Sequence, residues 1–385
     1  MSAAAALHRV AIVGNGIAAL TSGDALRSAG FDGDLTIIGA ERHAPYSRPA
    51  LSKAALLDEL EMTSHLLPEP EHGAEQLLGS AAVGLDVERR RVLLDDGADV
   101  PYDGLVIASG SRARRLTEPR PGEASAELTL RGLDDALELR RRISSRPDVV
   151  VIGGGALGME VASGCVAAGC RVILVTRRQP MAGQVGMYLA DLLVAAAREA
   201  GVVVRETPEV AVQGNGGSAV VTLADGSTIE AGLVVTAVGD VPNVEWLSDS
   251  GLLTDGELRV DQRGRVRHDI VAAGDVTAFP TVSGLRRVPL WTSAIEQAKT
   301  AAVALLQGDD AAELAFQPYF WTEQFGLSLK ACGELPVTGA PEVVEGDPAD
   351  LRALMRWSHS DATATAVALN YRIPVPKLRA LSRRP

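Results

Sequence analysis

Val10-Ala11-Ile12-Val13-Gly14-Asn15-Gly16-Ile17-Ala18-Ala19 and Val149-Val150-Val151-Ile152-Gly153-Gly154-Gly155-Ala156-Leu157-Gly158 are the two stretches whose reading decides the fold. Each opens on a β-rich apolar run, breaks at glycines and continues into an apolar helical stretch, which predicts strand, tight turn and helix. Both fit G-x-G-x-x-[GA] at that junction. Missing side chains there let the backbone approach a pyrophosphate, and the following helix supplies unpaired N–H donors and the positive end of its dipole. Gly14, Gly16, Ala18 and Ala19 are the first set of candidate contacts, and Gly153, Gly155 and Gly158 the second. Glu41 follows the next strand-like run, 35–38, where an acidic side chain accepts hydrogen bonds from an adenosine ribose.

A second pair of signals points to duplication. Asp96-Gly97 and Asp225-Gly226 read as hairpin turns, followed by strands ending at Gly110 and Gly239, both at an offset of 129 residues. The glycine loops are offset by 139, so two similar units differ by about ten residues of loop. Ser109, Gly110 and Gly239, at the ends of the later strands, join the candidate cofactor contacts. Ile270-Val271-Ala272-Ala273-Gly274-Asp275 is another strand-like run, expected to return to the first unit, with Asp275 placed for the ribityl hydroxyls of a flavin or for a helix N-cap. After Gln317 the pattern changes. Strand-like runs lie around 326–332, 341–344 and 364–369, with a helix expected near 349–356. The expected fold is α/β: two Rossmann-like dinucleotide-binding domains plus a small C-terminal α+β domain. The boundaries are 1–115 with 245–316, then 116–244, then 317–385.

At 385 residues the chain is too long for one compact core. Its net charge of -12 disfavours nucleic acid or an acidic membrane surface as the main partner, because both call for the opposite sign. No uncharged apolar run reaches a membrane-spanning length, and Met1 to Val10 lacks a basic region followed by an apolar one, so a cytoplasmic protein is expected. Cys165, Cys170 and Cys332 stand in no C-x-x-C pair; Cys165 and Cys170 fall in an apolar helical stretch, and all three are expected to be small packing residues. No metal site is spelled out.

Two dinucleotide sites call for two dinucleotides. A tightly held flavin with a diffusible nicotinamide is the economical pairing, since a flavin accepts a hydride and then redistributes electrons. Four further segments carry a resemblance: Pro45-Tyr46-Ser47-Arg48-Pro49-Ala50-Leu51-Ser52-Lys53, Leu130-Arg131, Gly239-Asp240-Val241-Pro242-Asn243 and Phe320-Trp321-Thr322-Glu323-Gln324. With the glycine loops, they make the chain resemble the FAD-containing ferredoxin and rubredoxin reductases, a group that includes the reductases of aromatic dioxygenases. That resemblance implies an NAD(P)H oxidoreductase passing electrons through FAD to a small iron-sulfur ferredoxin. It implies that Arg48 and Arg131 bind FAD and that Val83 lies by the adenine. Lys53 would reach toward the flavin N5 edge and pair with Glu160, while Trp291 and Trp321 would lie near the flavin and nicotinamide. Lys53, Glu160 and Trp321 are thus the candidate catalytic residues.

The readings of other flavoproteins that place a cysteine beside the flavin are disfavoured, because no cysteine precedes Cys165. Reduction of a quinone or other small molecule, and a redox-sensing flavoprotein, stay open as alternatives, as do monomer and homodimer. At the second nucleotide site, Thr176 stands where relatives carry an acid, and Arg177 and Arg178 follow; the expectation is NADPH in preference to NADH. For docking an acidic ferredoxin, the candidate basic residues are Arg286, Arg287, Lys330, Lys377, Arg379, Arg383 and Arg384.

Overall fold

The computed structural model describes residues 7–53, 56, 66–117, 125–215, 218–359 and 363–383. The chain divides into two units, one built from Met1–Ser47, Thr63–Arg112 and Val241–Phe316, the other from Arg48–Met62, Ala113–Asp240 and Gln317–Pro385.

The first unit is organised on a six-stranded sheet, in the order Arg265–Arg267, Ile270–Ala272, Gly104–Ile107, Arg9–Val13, Asp34–Gly39, Glu75–Leu78. Arg9–Val13 pairs in parallel with both of its neighbours. Its alternate residues go to opposite faces: Ala11 and Val13 enter one buried cluster, Val10 and Ile12 another. A strand covered on both sides must be apolar at every position, which is why this run shows no polar alternation. One cover is helical. Ala18 and Ala19 of the helix Ile17–Ser28 meet Ala294, Ala298, Ala301 and Ala302 of Trp291–Gln307 in the same cluster, and such small side chains allow close helix packing. The run at 270–272 returns to this sheet beside Gly104–Ile107, as its sequence suggested.

The second unit repeats the plan. Its five-stranded sheet runs Val203–Glu206, Arg171–Thr176, Asp148–Ile152, Leu233–Thr236, Leu128–Thr129, all parallel. Each unit also carries a three-stranded antiparallel sheet, Ala82–Asp86 with Arg91–Leu94 and Asp99–Pro101, and Val210–Asn215 with Ser218–Leu223 and Thr228–Ala231. The duplication extends to single hydrogen bonds. Leu94 N–H donates to Ala98 and Leu223 N–H to Ser227, each at 2.9 Å, across turns whose Gly97 and Gly226 have φ of +86° and +82°. These angles are open to glycine at little steric cost. The parallel strands that follow these turns end at Ile107 and Thr236, three residues before the glycines expected to close them.

Residues 319–369 form a separate five-stranded sheet, in the order Tyr319–Gln324, Leu327–Cys332, Ala364–Leu369, Arg352–Ser358, Glu342–Asp347. The helix expected near 349–356 is not there. A single turn, Pro348–Asp350, is followed by Leu351 at φ +54° and then by the strand Arg352–Ser358. The left-handed residue stops helical growth, and antiparallel partners on both sides satisfy the backbone of Arg352–Ser358. A short run of alternating size and polarity suits either structure; tertiary pairing decided it.

Candidate functional site

The two glycine loops are near copies in three dimensions. Gly14 N–H donates to Ile38 and Gly153 N–H to Val175, each at 2.8 Å, while Ala108 and Ala237 donate to Val13 and Ile152 at 2.7 Å. Gly14 and Gly153 have φ of +123° and +120°, and a Cβ on either would lie 2.1 Å from the carbonyl oxygen of Ala108 or Ala237. No other residue fits there. Gly158 serves the helix instead, since its Cβ would lie 1.9 Å from the Gly153 oxygen, so its absence lets helix Ala156–Ala167 sit directly on the loop. Gly16 and Gly155 are the N-cap residues, with extended backbones and no side chain to cap the first turn. Both helices therefore begin as anion-receiving ends.

Around the first loop, Glu41 accepts a short hydrogen bond from the Tyr46 hydroxyl. Asp275 follows the returning strand, partly buried, and its carbonyl accepts from Arg287 Nε at 2.7 Å. Gly274 just before it has φ +86° and packs toward Ala18, where a Cβ would come within 3.1 Å of the Ala18 methyl. Ser109 and Gly110 are strapped to the last residue of the motif at 239–243: Ser109 Oγ donates to the Asn243 carbonyl at 2.8 Å, and Asn243 N–H donates to Gly110 at 3.0 Å. Trp291 opens its helix half-buried, and Val83 is 55% exposed. These features fit a dinucleotide: a cradle that side chains would fill, a free helix start and two carboxylates around it.

In the second unit, Lys53 Nζ lies 2.8 Å from Glu160 Oε2, with side chains 14% and 5% exposed. The pair that the resemblance implied is therefore formed. Ser52 Oγ donates to the same Oε2, Thr322 Oγ1 donates to Oε1 at 2.7 Å, and Gln324 Nε2 donates to Thr322 at 3.0 Å. Lys53 also donates to the Pro49 carbonyl at 3.2 Å and lies 5.9 Å from the ring centre of Trp321. Glu160 is held by the first turns of the helix that follows the second glycine loop, and Thr322 and Trp321 by the strand Tyr319–Gln324. Buried carboxylates need such partners because a lone charge in a poor dielectric is costly. Ser52 and Thr322 were not singled out from the sequence, although both stand inside the quoted segments; a hydroxyl there has no meaning until the fold aims it at Glu160. A second buried acid, Glu127, accepts from the backbones of Leu116 and Thr117 and from both the Thr117 and Thr236 hydroxyls. Its donors account for it structurally.

Arg48 Nη1 donates to the Arg131 carbonyl at 3.0 Å, and the Arg131 and Gly132 N–H groups both donate to Asp135 at 2.8 Å. Gly239, at φ +106°, accepts from Arg114 N–H at 3.0 Å. Thr176 is buried, its hydroxyl donating to the Arg178 carbonyl at 2.8 Å, while Arg177 and Arg178 are exposed. Of the docking candidates, Arg286, Lys377 and Arg383 are exposed, whereas Arg287, Lys330 and Arg379 are half-buried and Arg384 lies outside the described residues. All three cysteines are buried and unpaired. Cys165 lies in the helix Ala156–Ala167, but Cys170 lies beyond its end, in the turn before Arg171–Thr176. Burial pushes the Cys165 thiol up to about 12 and the Cys332 thiol up to about 11. Among the described residues no helix is long and apolar enough to cross a membrane, and no cluster of metal-binding side chains occurs.

Comparison with known proteins agrees with this arrangement. The chain is 36% identical to the anthranilate 1,2-dioxygenase system ferredoxin–NAD(+) reductase component of Burkholderia cepacia, over 88% of this chain and 84% of that one. It is 30% identical to the 3-phenylpropionate/cinnamic acid dioxygenase ferredoxin–NAD(+) reductase component of Photorhabdus laumondii, over 97% and 96% of the two chains. Among solved structures, the ferredoxin reductase for the CYP199A2 system from Rhodopseudomonas palustris superposes with a TM-score of 0.85 at 30% identity, covering 94% of this chain and 91% of that one. The sequence model of one family covers residues 8–301, from the first strand through both glycine loops to the helix that packs under the first. With its duplicated dinucleotide units, this chain belongs to the pyridine nucleotide-disulphide oxidoreductase family.

Proposed function

We propose that the chain is an FAD-dependent ferredoxin reductase: it takes a hydride from a nicotinamide dinucleotide and delivers electrons to a small iron-sulfur protein that serves an oxygenase or a cytochrome P450. The observation that carries this reading is the presence of two dinucleotide units of one topology in a chain whose cysteines are all buried and unpaired. With no dithiol to relay electrons, they leave the flavin for an external acceptor. The names of the similar reductase components support a ferredoxin in that role.

Gly14, Gly16, Glu41 and Asp275 are assigned to FAD, and Gly153, Gly155 and Gly158 to the nicotinamide dinucleotide. FAD supplies the conversion of a two-electron hydride into single electrons. Lys53 supplies a fixed positive charge for the hydride-transfer step, and Glu160, with Ser52 and Thr322, keeps that charge in one place. Trp321 offers an aromatic wall beside it. For the nucleotide, the reading is NADPH over NADH. Arg177 and Arg178 are exposed beside a position that holds a threonine, so no carboxylate at that residue repels a 2'-phosphate and two guanidinium groups can receive it. The similar reductases are named for NAD(+), so a preference for NADPH would set this chain apart from them.

The test is cytochrome c reduction by the purified yellow protein with NADPH or NADH, with and without a dioxygenase-type ferredoxin. Strong dependence on ferredoxin is expected. Equal rates without it, together with rapid quinone reduction, would replace the proposal by a small-molecule reductase.

A further inference from the structure

The two glycine loops differ in what meets the first N–H of the helix that follows each. At the second, the N–H of Ala156, first residue of its helix, donates to Gln184 Oε1 at 2.7 Å. The same carboxamide lies over Gly155, where a Cβ would meet Oε1 at 3.5 Å and the amide carbon at 3.9 Å. It thus lies across the place where the missing side chains give a pyrophosphate access to the backbone. At the first loop, the corresponding Ile17 has no side-chain acceptor among the described residues.

Gln184 reaches this position from a short segment tied to the loop it covers. Met181 N–H donates to the Gly154 carbonyl at 2.7 Å, and one helical turn, Ala182–Val185, carries Gln184 between Met181 at φ +66° and Gly186 at φ +91°. Val185 beside it is fully buried, while Gln184 itself is exposed and free to leave. The segment begins three residues beyond Arg178, so the residues assigned to the adenosine end and the residue covering the pyrophosphate end are joined within a few positions of one loop. A carboxamide oxygen suits a temporary occupant: it accepts one hydrogen bond, as a phosphate oxygen does, but carries no net charge to hold it on the helix dipole.

We propose that Gln184 is a displaceable stand-in for the dinucleotide pyrophosphate, an affinity-setting residue that must withdraw from Ala156 each time a pyrophosphate-bearing nucleotide binds. The inference rests on the reading of the second loop as the nicotinamide dinucleotide site. It explains an asymmetry that function requires: the flavin loop holds a resident group and needs no competitor, whereas the second loop must release its product on every turnover.

The test is calorimetric titration of the FAD-loaded, oxidised protein with NADP+, NAD+ and 2'-AMP, the last lacking a pyrophosphate. Gln184→Ala removes the competitor and is expected to tighten NADP+ binding about 3- to 10-fold, the worth of one net hydrogen bond, while leaving 2'-AMP unchanged. Gln184→Glu places a charge that stays on the helix start and repels the pyrophosphate, and is expected to weaken NADP+ at least ~10-fold. Unchanged or weaker NADP+ binding by Gln184→Ala would overturn the stand-in, as would an equal change for 2'-AMP. A wild-type protein that binds neither NADP+ nor NAD+ would overturn the dinucleotide site itself.

Discussion

Removing one charge from the Lys53–Glu160 pair tests the site where its geometry is most demanding. At the observed 2.8 Å, two unit charges in a medium of effective dielectric near 20 attract by about 6 kcal/mol before desolvation is counted. Desolvation offsets much of that, but deleting one partner of a buried pair strands the other, which costs about 3–5 kcal/mol. Glu160→Gln belongs near the lower end, about 3 kcal/mol, because Lys53 keeps the Pro49 carbonyl and some solvent. Lys53→Met belongs nearer the upper end, about 4 kcal/mol, since the more deeply buried Glu160 would be left with only the Ser52 and Thr322 hydroxyls around it. The double variant should cost at least ~2 kcal/mol less than the sum of the two. Urea unfolding of the FAD-loaded proteins, followed by tryptophan fluorescence, measures all three. Asp148→Asn, which breaks the exposed pair with Arg171, is the control and should leave the midpoint in place. Single variants that lose under ~1 kcal/mol, or losses that simply add, would refute the reasoning. The same two single variants should slow flavin reduction roughly 10- to 1000-fold in stopped flow, more than they weaken FAD retention.

Three other outcomes are expected. Arg177→Ala and Arg178→Ala should each raise the Michaelis constant for NADPH about 10- to 100-fold, the scale of a charge-assisted hydrogen bond, with little change for NADH; a wild-type preference for NADH would contradict the assignment. Gly158→Ala drives a Cβ to 1.9 Å from the Gly153 oxygen and should unfold the second unit, whereas Gly155→Ala meets only the Gln184 side chain and should fold while binding dinucleotide poorly; circular dichroism melting with nucleotide titration separates the two. At pH 8 the thiolate share should be only about one in 10,000 for Cys165 and one in 1,000 for Cys332, because burial raises both pKa values. Iodoacetamide should therefore label the native protein slowly and all three cysteines once urea is added; fast native labelling would contradict their burial.

The sequence alone carried the duplication, because the features that define it are local. A glycine forced to φ near +120°, a β-branched run before it and an Asp-Gly turn are short-range steric demands, and they recur in both units at matching places. The same holds for the two loop sites, whose donors are backbone groups fixed by the turn itself. Lys53 and Glu160 were also named, but only through resemblance, since the two are 107 residues apart and nothing in either neighbourhood calls for the other. Tertiary structure decided what depends on partners distant in the chain. It turned 352–358 into a strand because two neighbours offered it a ladder, and it gave Ser52 and Thr322 a carboxylate to hold. It also laid Gln184 over the Ala156 N–H, a contact that no periodicity or motif announces. A side chain's role at such a place is set by which atom it meets, and that meeting exists only once the chain has folded.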